Sequence, residues 1–309
     1  MLKETNKENE MLEQEKFMIG ADPEFFLADK DDKLKSAIPY ITGTKHAQMM
    51  VDGGGIQRDN VAAEFSCDPQ DSEEGFVGII EKMLKQLSAH VKPLKLKVLA
   101  STDFPVEELN CLEAREFGCD PDFDCYALAV NSIGEDAAVN TLRSCGGHIH
   151  IGVNNGYPKV LSEDEDYMGR IKITKAMDFF VGIPSIIIDP DETAPRRRKL
   201  YGKAGCHRPK DYGVEYRAVG NFWTRSPDTV RLIYRLTAMA IKACDMGVAE
   251  EYLNEVGEKE VQRIINESDK AAAEKVVDMF IKKHMKEETA DLFLKCKNNP
   301  LDINEQWGL

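Results

Sequence analysis

Four separated segments of the sequence each place acidic, basic or imidazole side chains at alternate positions within strand-like sequence. They carry Asp22 and Glu24, Asp59 leading to Glu64, His148 and His150, and Glu215 and Arg217. Because residues i and i+2 of a β-strand point to the same face, each segment can project its polar groups into a common cleft. On one sheet face, close carboxylate pairs would repel each other by roughly 4 kcal/mol at an effective dielectric constant near 20. The pattern therefore predicts a site that holds cations.

Composition limits the classes of partner. The chain has 309 residues, a hydrophobic fraction of 42% and a formal net charge of −14, so it can bury a large core but would be repelled by nucleic acid and anionic lipid. Its eight cysteines form no CxxC pair, and the sequence shows neither an apolar leader nor a run long enough to cross a membrane. We expect a soluble, cytoplasmic protein without disulfide bonds.

The periodicity of apolar residues predicts alternating strands and helices. Strands are expected at 17–29, with a return near 34–40 after a turn at 31–33, at 94–100, at SCGGHIHIGV and around Glu215. Helices are expected from Asp71 or Ser72 to His90, over 167–188, after a Ser226 cap, and through most of the last 60 residues. The glycine-rich VDGGGIQRDN reads as a flexible loop that delivers Asp59 to the next strand. Residues 1–16 read as a charged flexible tail.

The residue types favour a hard divalent cation. Carboxylate oxygens are the ligands that Mg²⁺ prefers, and imidazole is a better ligand for Mn²⁺ or zinc. A basic stretch precedes the last polar strand and would suit phosphate oxygens; with Arg217 it comprises Arg196, Arg197, Arg198, Lys203 and Arg208. Three other interpretations stay open here: a zinc site among Cys111, Cys119 and Cys125, a thiol nucleophile at Cys145 or Cys206, and chance alternation of polar residues.

The order of the motifs resembles the glutamine synthetase and glutamate–cysteine ligase superfamily of carboxylate–amine ligases, and within it the phage-type COOH-NH2 ligase family (type 2). The resemblance rests on GADPEFF, NVAAEFS, SCGGHIHIG and RRRKLYGKAGCHRPKDYGVEYRAVGNFW, and so spans roughly residues 17 to 225. It implies an α+β fold: a bent, mainly antiparallel sheet with the catalytic site on its concave face and helices packed outside, like the glutamine synthetase catalytic domain. Residues 17–250 would form this catalytic domain, and residues 251–309 a helical extension packed on it.

The resemblance also implies roles for individual residues. Metal ligands would be Asp22, Glu24, Asp59, Glu64, His148 and Glu215. Nucleotide or substrate would contact His150, Lys203, Arg208 and Arg217, with Arg217 and Arg197 or Arg198 stabilising charge during catalysis. The first motif reads D-P-E where many relatives have E-x-E, so Asp22 reaches one methylene less far toward a metal.

The function that the resemblance implies is ATP-dependent ligation with Mg²⁺ or Mn²⁺. A carboxylate is a poor electrophile, and phosphorylation by ATP would convert it to an acyl phosphate that an amine attacks to give an amide or peptide-like bond. The partners would be ATP, a carboxylate and an amine, either amino acids or a peptide or protein acceptor; a homo-oligomer is one option. The rivals are a metal-dependent hydrolase, a guanidino or carboxylate kinase on the same scaffold, and a non-catalytic binding protein.

Overall fold

A computed structural model of the protein describes residues 16–115, 122–131, 141–163, 167–199, 201–297 and 300–309. The expected tail, apart from residue 16, and Cys119 of the candidate zinc site lie outside these residues. In chain order the strands are Met18–Ala28 (β1), Leu34–Lys35 (β2), Met49–Val51 (β3), Gly54–Asp59 (β4), Ala62–Cys67 (β5), Lys95–Lys97 (β6), Ser101–Asp103 (β7), Phe123–Asp124 (β8), Ala129–Val130 (β9), Leu142–Ser144 (β10), Gly147–Gly152 (β11), Cys206–Lys210 (β12) and Gly213–Tyr216 (β13).

The α-helices fall mainly in the second half of the chain. They are Glu73–His90 (α1), Leu112–Arg115 (α2), Lys159–Ser162 (α3), Met168–Met177 (α4), Ile183–Ile188 (α5), Ala194–Arg198 (α6), Pro227–Asp245 (α7), Val248–Val256 (α8), Glu258–Glu267 (α9), Lys270–Val276 (α10), Glu287–Cys296 (α11) and Ile303–Trp307 (α12). Wider π-helical turns continue α4 at Asp178–Gly182 and α10 at Val277–Ile281.

One antiparallel sheet carries all the polar strand segments. Its order is β3-β4-β5-β1-β11-β13-β12-β8-β9, with β2 and β6 pairing with the far end of β1, and β7 pairs with β10 in a separate sheet. Every pairing among these strands is antiparallel. This arrangement confirms a mixed fold of helices and antiparallel sheet.

The register of the sheet aligns the polar segments. Across neighbouring strands, Asp22 pairs with His148, His150 with Glu215, and Glu24 with Glu64. Because side chains of paired residues point to the same face, these three pairs form one polar face that crosses β5, β1, β11 and β13. The four polar segments of the sequence thus meet on one face of the sheet.

The opposite face is apolar and is covered by helices. Ile19, Phe25, Ile149, Ile151 and Val214 alternate with the polar residues and are fully buried. The long helices α1 and α7 pack against each other, and α1 also packs on β5. Their apolar stripes are shielded from water by this packing, which is the main source of their stability.

Both predicted helix caps are confirmed. The Ser72 side chain accepts a hydrogen bond from Gly75 N at the start of α1. At the start of α7, Ser226 and Thr229 form a reciprocal capping box, with Pro227 at the first helical position. Such caps satisfy backbone donors that a helix start leaves unpaired, typically contributing about 1 kcal/mol each.

Several predicted boundaries are wrong. The glycine-rich segment expected as a flexible loop is a β-hairpin of β3 and β4, in which the turn residue Gly53 and the first residue of β4, Gly54, have positive φ. Asp59 is consequently the last residue of a strand and not part of a loop. The strand predicted at 94–100 covers only Lys95–Lys97, and the predicted return at 34–40 covers only Leu34–Lys35.

The C-terminal helices share the main apolar core. Phe293, Ile303 and Trp307 belong to the same buried cluster as Phe25 of β1.

Within the described part of the chain, no helix combines the length and the apolarity that a membrane crossing demands.

Candidate active site

Three carboxylates meet at the β4-β5-β1 end of the polar face. One oxygen from each of Glu24, Asp59 and Glu64 can be chosen so that all three lie within 4.8 Å of one another. Glu24 and Glu64 are buried and face each other directly across the β1–β5 pairing. Gly146 N donates to Glu24 Oε2 at 2.6 Å, and Gln57 Nε2 donates to Glu64 Oε2 at 2.6 Å. We call these three residues the acid cluster.

Burial makes the negative charge of the acid cluster costly. Burial, followed by the charge of Asp59, raises the pKa of Glu24 to about 7. Burial and the charges of Asp22 and Glu24 raise the pKa of Glu64 well above its ordinary value. Carboxylates in this situation either take up a proton or bind a cation. An all-oxygen donor set of this kind fits a hard divalent cation.

A second group lies on the adjacent strands. Asp22, His150 and Glu215 can also bring one ligand atom each within 4.8 Å of the others, and we call them the histidine cluster. His150 Nε2 lies 3.1 Å from Asp22 Oδ1. His148 sits beside this cluster, with its Nδ1 3.1 Å from Asp22 Oδ1 and 3.7 Å from Glu215 Oε1. Gly146 leaves room for the imidazole, because a Cβ there would lie 2.2 Å from His148 Nε2.

The histidine cluster is electrostatically different from the acid cluster. Burial and Asp22 act to raise the pKa of Glu215, but Arg217 and the two histidines outweigh them and hold it at about 2. Burial acts to raise the pKa of Asp22 as well, but the charges and hydrogen bonds of His150 and His148 outweigh burial and lower this pKa well below its usual range. Burial and the charge of Arg217 lower the pKa of His148 to about 4, so its imidazole is neutral at pH 7. Ionised carboxylates and neutral imidazole are the forms that bind metals.

Arg217 lies at the centre of the polar face. Its Nη1 donates to Glu215 Oε1 and lies 3.2 Å from His148 Nδ1. Its Nε donates to Asp122 Oδ2 at 3.3 Å, and this Arg217 side chain is only 4% exposed. The guanidinium is therefore held between carboxylates on both of its edges.

The other basic residues predicted for the site divide into two groups. Arg208 Nη1 donates to Glu215 Oε1 at 3.4 Å, and Arg197 is buried with its Nη2 donating to Arg217 O at 3.1 Å. By contrast, Arg198 is directed toward α9, where its Nη1 donates to Ser268 Oγ at 2.5 Å. Lys203 is exposed. Neither Arg198 nor Lys203 lines the cavities at the polar face, so the structure brings Arg197 and Arg208 to the site but not these two.

Among the cavities that the described residues line, three open along the polar face. A central one of about 250 Å³ is lined by the acid cluster, by Asp22, His148 and Glu215, and by the basic residues Arg208, Lys210 and Arg217. A small one of about 50 Å³ lies behind Glu24 and Asp59 and is lined by Arg143, Arg197 and Arg217. A third, of about 320 Å³, is lined mainly by apolar groups and reaches the histidine cluster at His150. The face thus offers a polar centre, an arginine-lined end and an apolar end.

Family comparison decides the class of protein. Residues 138–295 match the model of the family described as phage phiEco32-like COOH.NH2 ligase-type 2. The chain belongs to this COOH.NH2 ligase family. The membership confirms the family expected from the motifs. The matched region contains His148, His150, Glu215 and Arg217, whereas Asp22 and Glu24 precede it.

A solved structure resembles the fold of this family member. The crystal structure of a bifunctional glutathione synthetase from Pasteurella multocida superposes with a TM-score of 0.52 at 11% sequence identity. The match covers 97% of this chain and 49% of that chain, so the ligase-family chain spans about half the length of its structural relative. No protein of curated function matches the sequence.

Several site residues of this COOH.NH2 ligase family member were not predicted from its sequence. Gln57 has a recoverable signal, because it lies two residues before Asp59 and so shares a face with it on β4. Asp122 and Arg143 have none, because they reach the site from irregular sequence and from the separate β7–β10 sheet.

The cysteine alternative loses support: burial raises the pKa of Cys206 to about 12 and that of Cys145 well above its ordinary value, which disfavours a thiolate.

Proposed function

We propose that the protein is an ATP-dependent carboxylate–amine ligase that forms an amide or peptide-like bond through an acyl phosphate, with Mg²⁺ or Mn²⁺ bound at the polar face. The observation that supports this most strongly is the register of the sheet. It pairs Asp22 with His148, Glu24 with Glu64, and His150 with Glu215. Acids of three of these strands and the imidazole of His148 from the fourth therefore line one cavity together with Arg217.

In this proposal two groups of side chains hold divalent cations. Glu24, Asp59 and Glu64 would bind one ion, and Asp22 and Glu215, with His148 or His150, would bind another. Bound there, the cations would neutralise the charge of a triphosphate and of the phosphoryl group during its transfer. The buried, mutually repelling carboxylates of the acid cluster fit this role because a cation would relieve the repulsion.

The chemistry requires two displacements in sequence. First, an oxygen of the substrate carboxylate attacks the γ-phosphorus of ATP, and the bond to the bridging oxygen breaks to release ADP. Then the amine nitrogen attacks the acyl carbon, phosphate leaves, and the amine loses a proton. Arg217 and Arg197, which face the central and the arginine-lined cavities, would stabilise the negative charge on the transferred group and hold the carboxylate. Arg208 would contact the phosphate chain.

The fold assignment beyond a mixed helix and antiparallel sheet is part of the same proposal. We liken the sheet to a glutamine synthetase catalytic domain, with the polar face as its concave side and α1 and α7 on its outer side. Residues 17–250 would be the catalytic unit and residues 251–309 a helical extension. The shared apolar core of Phe25, Phe293 and Trp307 supports packing of the extension on that unit.

The experiment that tests the function measures both half-reactions. Purified protein is incubated with Mg²⁺, ATP, a panel of amino acids and hydroxylamine, which traps an acyl phosphate as a hydroxamate. We expect ADP and hydroxamate to form together, and Glu215→Gln or Arg217→Gln to lower both rates by about 10²- to 10³-fold, as losing a charge-stabilising group does. Arg196→Gln is the matched control, since Arg196 lies in the same segment but pairs with the exposed Asp103.

The rival functions give different results in that assay. A guanidino kinase would produce ADP and a stable phosphorylated guanidine without hydroxamate. A carboxylate kinase would produce hydroxamate but, with amino acids in place of hydroxylamine, would release a phosphorylated carboxylate and no amide. A metal-dependent hydrolase would be active without ATP and would retain tightly bound zinc. Hydroxamate formation that survives both site substitutions would show that the site is not at Glu215 and Arg217.

A further inference from the structure

A chain of three hydrogen bonds between side chains ends at the acid cluster. Ser66 Oγ donates to Gln48 Oε1 at 3.0 Å, and Gln48 Nε2 donates to Gln57 Oε1 at 3.0 Å. Gln57 Nε2 then donates to Glu64 Oε2 at 2.6 Å. We call the three donors, Ser66, Gln48 and Gln57, the glutamine chain. The chemistry proposed above gives them no role.

The direction of the glutamine chain is set at its carboxylate end. An ionised carboxylate can only accept hydrogen bonds, so Gln57 must present its amide nitrogen to Glu64. Its carbonyl oxygen then accepts from Gln48, and the carbonyl oxygen of Gln48 accepts from the Ser66 hydroxyl. Because both ends of each amide are bonded, neither amide can turn over without breaking a hydrogen bond. The chain therefore keeps an N–H donor on Oε2 of Glu64.

The backbone of β4 leaves space for this chain. Gly55 lies two residues before Gln57 and pairs with Ser66 across the β4–β5 ladder, so it is on the same face of the sheet. An added Cβ at Gly55 would lie 3.0 Å from both Cβ and Cδ of Gln48 and closer still to its Oε1. A side chain at position 55 would therefore displace the Gln48 amide and break the chain.

The other buried glutamate of the acid cluster is held in a similar way. Gly146 N donates to Glu24 Oε2 at 2.6 Å. In both glutamates one oxygen thus accepts a short hydrogen bond from the protein, which occupies one of its lone pairs and makes it the poorer metal ligand. Each glutamate is therefore expected to bind a cation through its other oxygen, Oε1, and so through one atom and not two.

Carboxylates that bind through one oxygen discriminate between divalent cations. Ca²⁺ takes more oxygen ligands than Mg²⁺, and carboxylates often supply two of them at once. Mg²⁺ is smaller, keeps several of its waters and needs only one or two carboxylates. A set of single carboxylate oxygens beside the central cavity, which has room for water and phosphate, suits Mg²⁺ better than Ca²⁺.

We infer that the glutamine chain makes the acid cluster selective for Mg²⁺ over Ca²⁺. It does so by holding Oε2 of Glu64, so that this carboxylate binds the cation through Oε1 alone. Gln57 and Gln48 act through Glu64 and are positioning residues. This inference rests on the proposed function and deepens it, because it states which cation the acid cluster takes and what enforces the choice.

The test measures cation binding without turnover. Calorimetric titrations with Mg²⁺ and with Ca²⁺, in the absence of nucleotide, give a Kd for each ion. Glu64→Gln identifies the relevant binding step, because the step that this variant loses belongs to the acid cluster. The selectivity of that step is the Kd of Ca²⁺ divided by the Kd of Mg²⁺.

Gln57→Leu removes the donor to Glu64 and keeps a side chain of similar size. We expect the selectivity to fall by about tenfold or more, as the loss of one hydrogen bond to a charged group would allow, because Oε2 becomes free to bind Ca²⁺. Gly55→Ala should lower the selectivity in the same direction by displacing Gln48, and it provides a second route if Gln57→Leu does not fold. Gln306→Leu, exposed on α12, is the matched control and should leave the selectivity unchanged.

Unchanged selectivity in Gln57→Leu and Gly55→Ala would overturn the inference, and so would the same fall in Gln306→Leu. An equal loss of affinity for both ions would also overturn it, because the chain would then support the cluster without choosing the cation. These three results would leave the proposed cation site intact. If Glu64→Gln lost no binding step, the acid cluster would not bind a cation, and the proposed metal site would fail together with this inference.

Discussion

Asp122 illustrates how a residue beside the site fixes a residue within it. Its Oδ2 accepts from Arg217 Nε, and its Oδ1 accepts from Asn131 Nδ2 at 2.8 Å. Both members of the Asp122–Arg217 pair are buried, whereas the pair of Asp103 and Arg196 has the same chemistry on the surface. Buried pairs hold geometry that exposed pairs do not, because water competes less for their hydrogen bonds.

We expect Asp122→Asn to lower the rate of ADP release by about 10- to 100-fold, because Arg217 would lose a charged partner and shift from its position. The KM for ATP should change much less than kcat if Arg217 acts mainly on the transferred group. Steady-state kinetics at several ATP concentrations measure both. Asp103→Asn is the control and should leave both constants unchanged; similar losses in the two variants would show that Asp122 has no special positioning role.

At the scale of elements, sequence reasoning succeeded where one residue pattern determined the outcome. Alternation placed His148 and His150 on one face of β11, and Ser72 and Ser226 were recognised as caps. It failed at β3 and β4, because a run of glycines reads as a loop, and only pairing of Gly54–Asp59 with β5 makes it a strand. Propensity is a weak guide where long-range hydrogen bonds decide.

The same limit applies to the candidate site. The alternation of polar residues indicates which side chains of each strand segment share a face. It does not indicate which strands pair with each other in the sheet. The contacts of Asp122 and Arg143 depend on chain crossings between distant segments, for which the sequence carries no local pattern. Arg197 and Arg198 are adjacent in a short helix, and helical geometry alone sends their side chains in different directions.

The widened helical turn after α4 contains a buried acid that is not part of the site. Asp178 is fully buried, and Tyr216 of β13 donates to its Oδ1 at 2.7 Å. Burial raises the pKa of Asp178 to about 7, although the hydrogen bond from Tyr216 acts to lower it. Between about pH 4 and pH 7 the folded protein therefore binds a proton that the unfolded chain releases, and this acid destabilises the fold as the pH rises through that interval.

We expect Asp178→Asn to be more stable than the unaltered protein above pH 8, because the amide removes the buried charge and still accepts from Tyr216. The gain in the free energy of unfolding should be at most about 4 kcal/mol, and it should shrink toward zero near pH 4. Urea unfolding at a series of pH values gives this difference directly. Asp291→Asn, on the exposed side of α11, is the control; a gain that does not vary with pH would contradict the assignment.

At the scale of the whole molecule, part of the net charge of −14 is concentrated at one place in the fold and not spread over the surface. The acid cluster concentrates three carboxylates on one sheet face, two of them buried. Folding without a cation must therefore bring like charges together, whereas binding of a cation to the folded state reverses this cost. Cation binding at the proposed metal site would therefore stabilise the fold.

Glu64→Gln tests this stabilisation, since the amide keeps the size of the side chain while removing one of the three charges. Without metal we expect the variant to unfold at a higher temperature than the unaltered protein, because repulsion from Glu24 and Asp59 is reduced. With Mg²⁺ at 100 times the Kd of the acid cluster, this one site should add about 2.7 kcal/mol to the stability of the unaltered protein, and the variant should lose most of that contribution. Thermal unfolding in EDTA and then in MgCl₂ measures both effects, and Glu255→Gln, on the exposed part of α8, is the control. If Mg²⁺ stabilised Glu64→Gln as much as the unaltered protein, the acid cluster would not be the cation site, because a ligand stabilises the fold only through the groups that bind it.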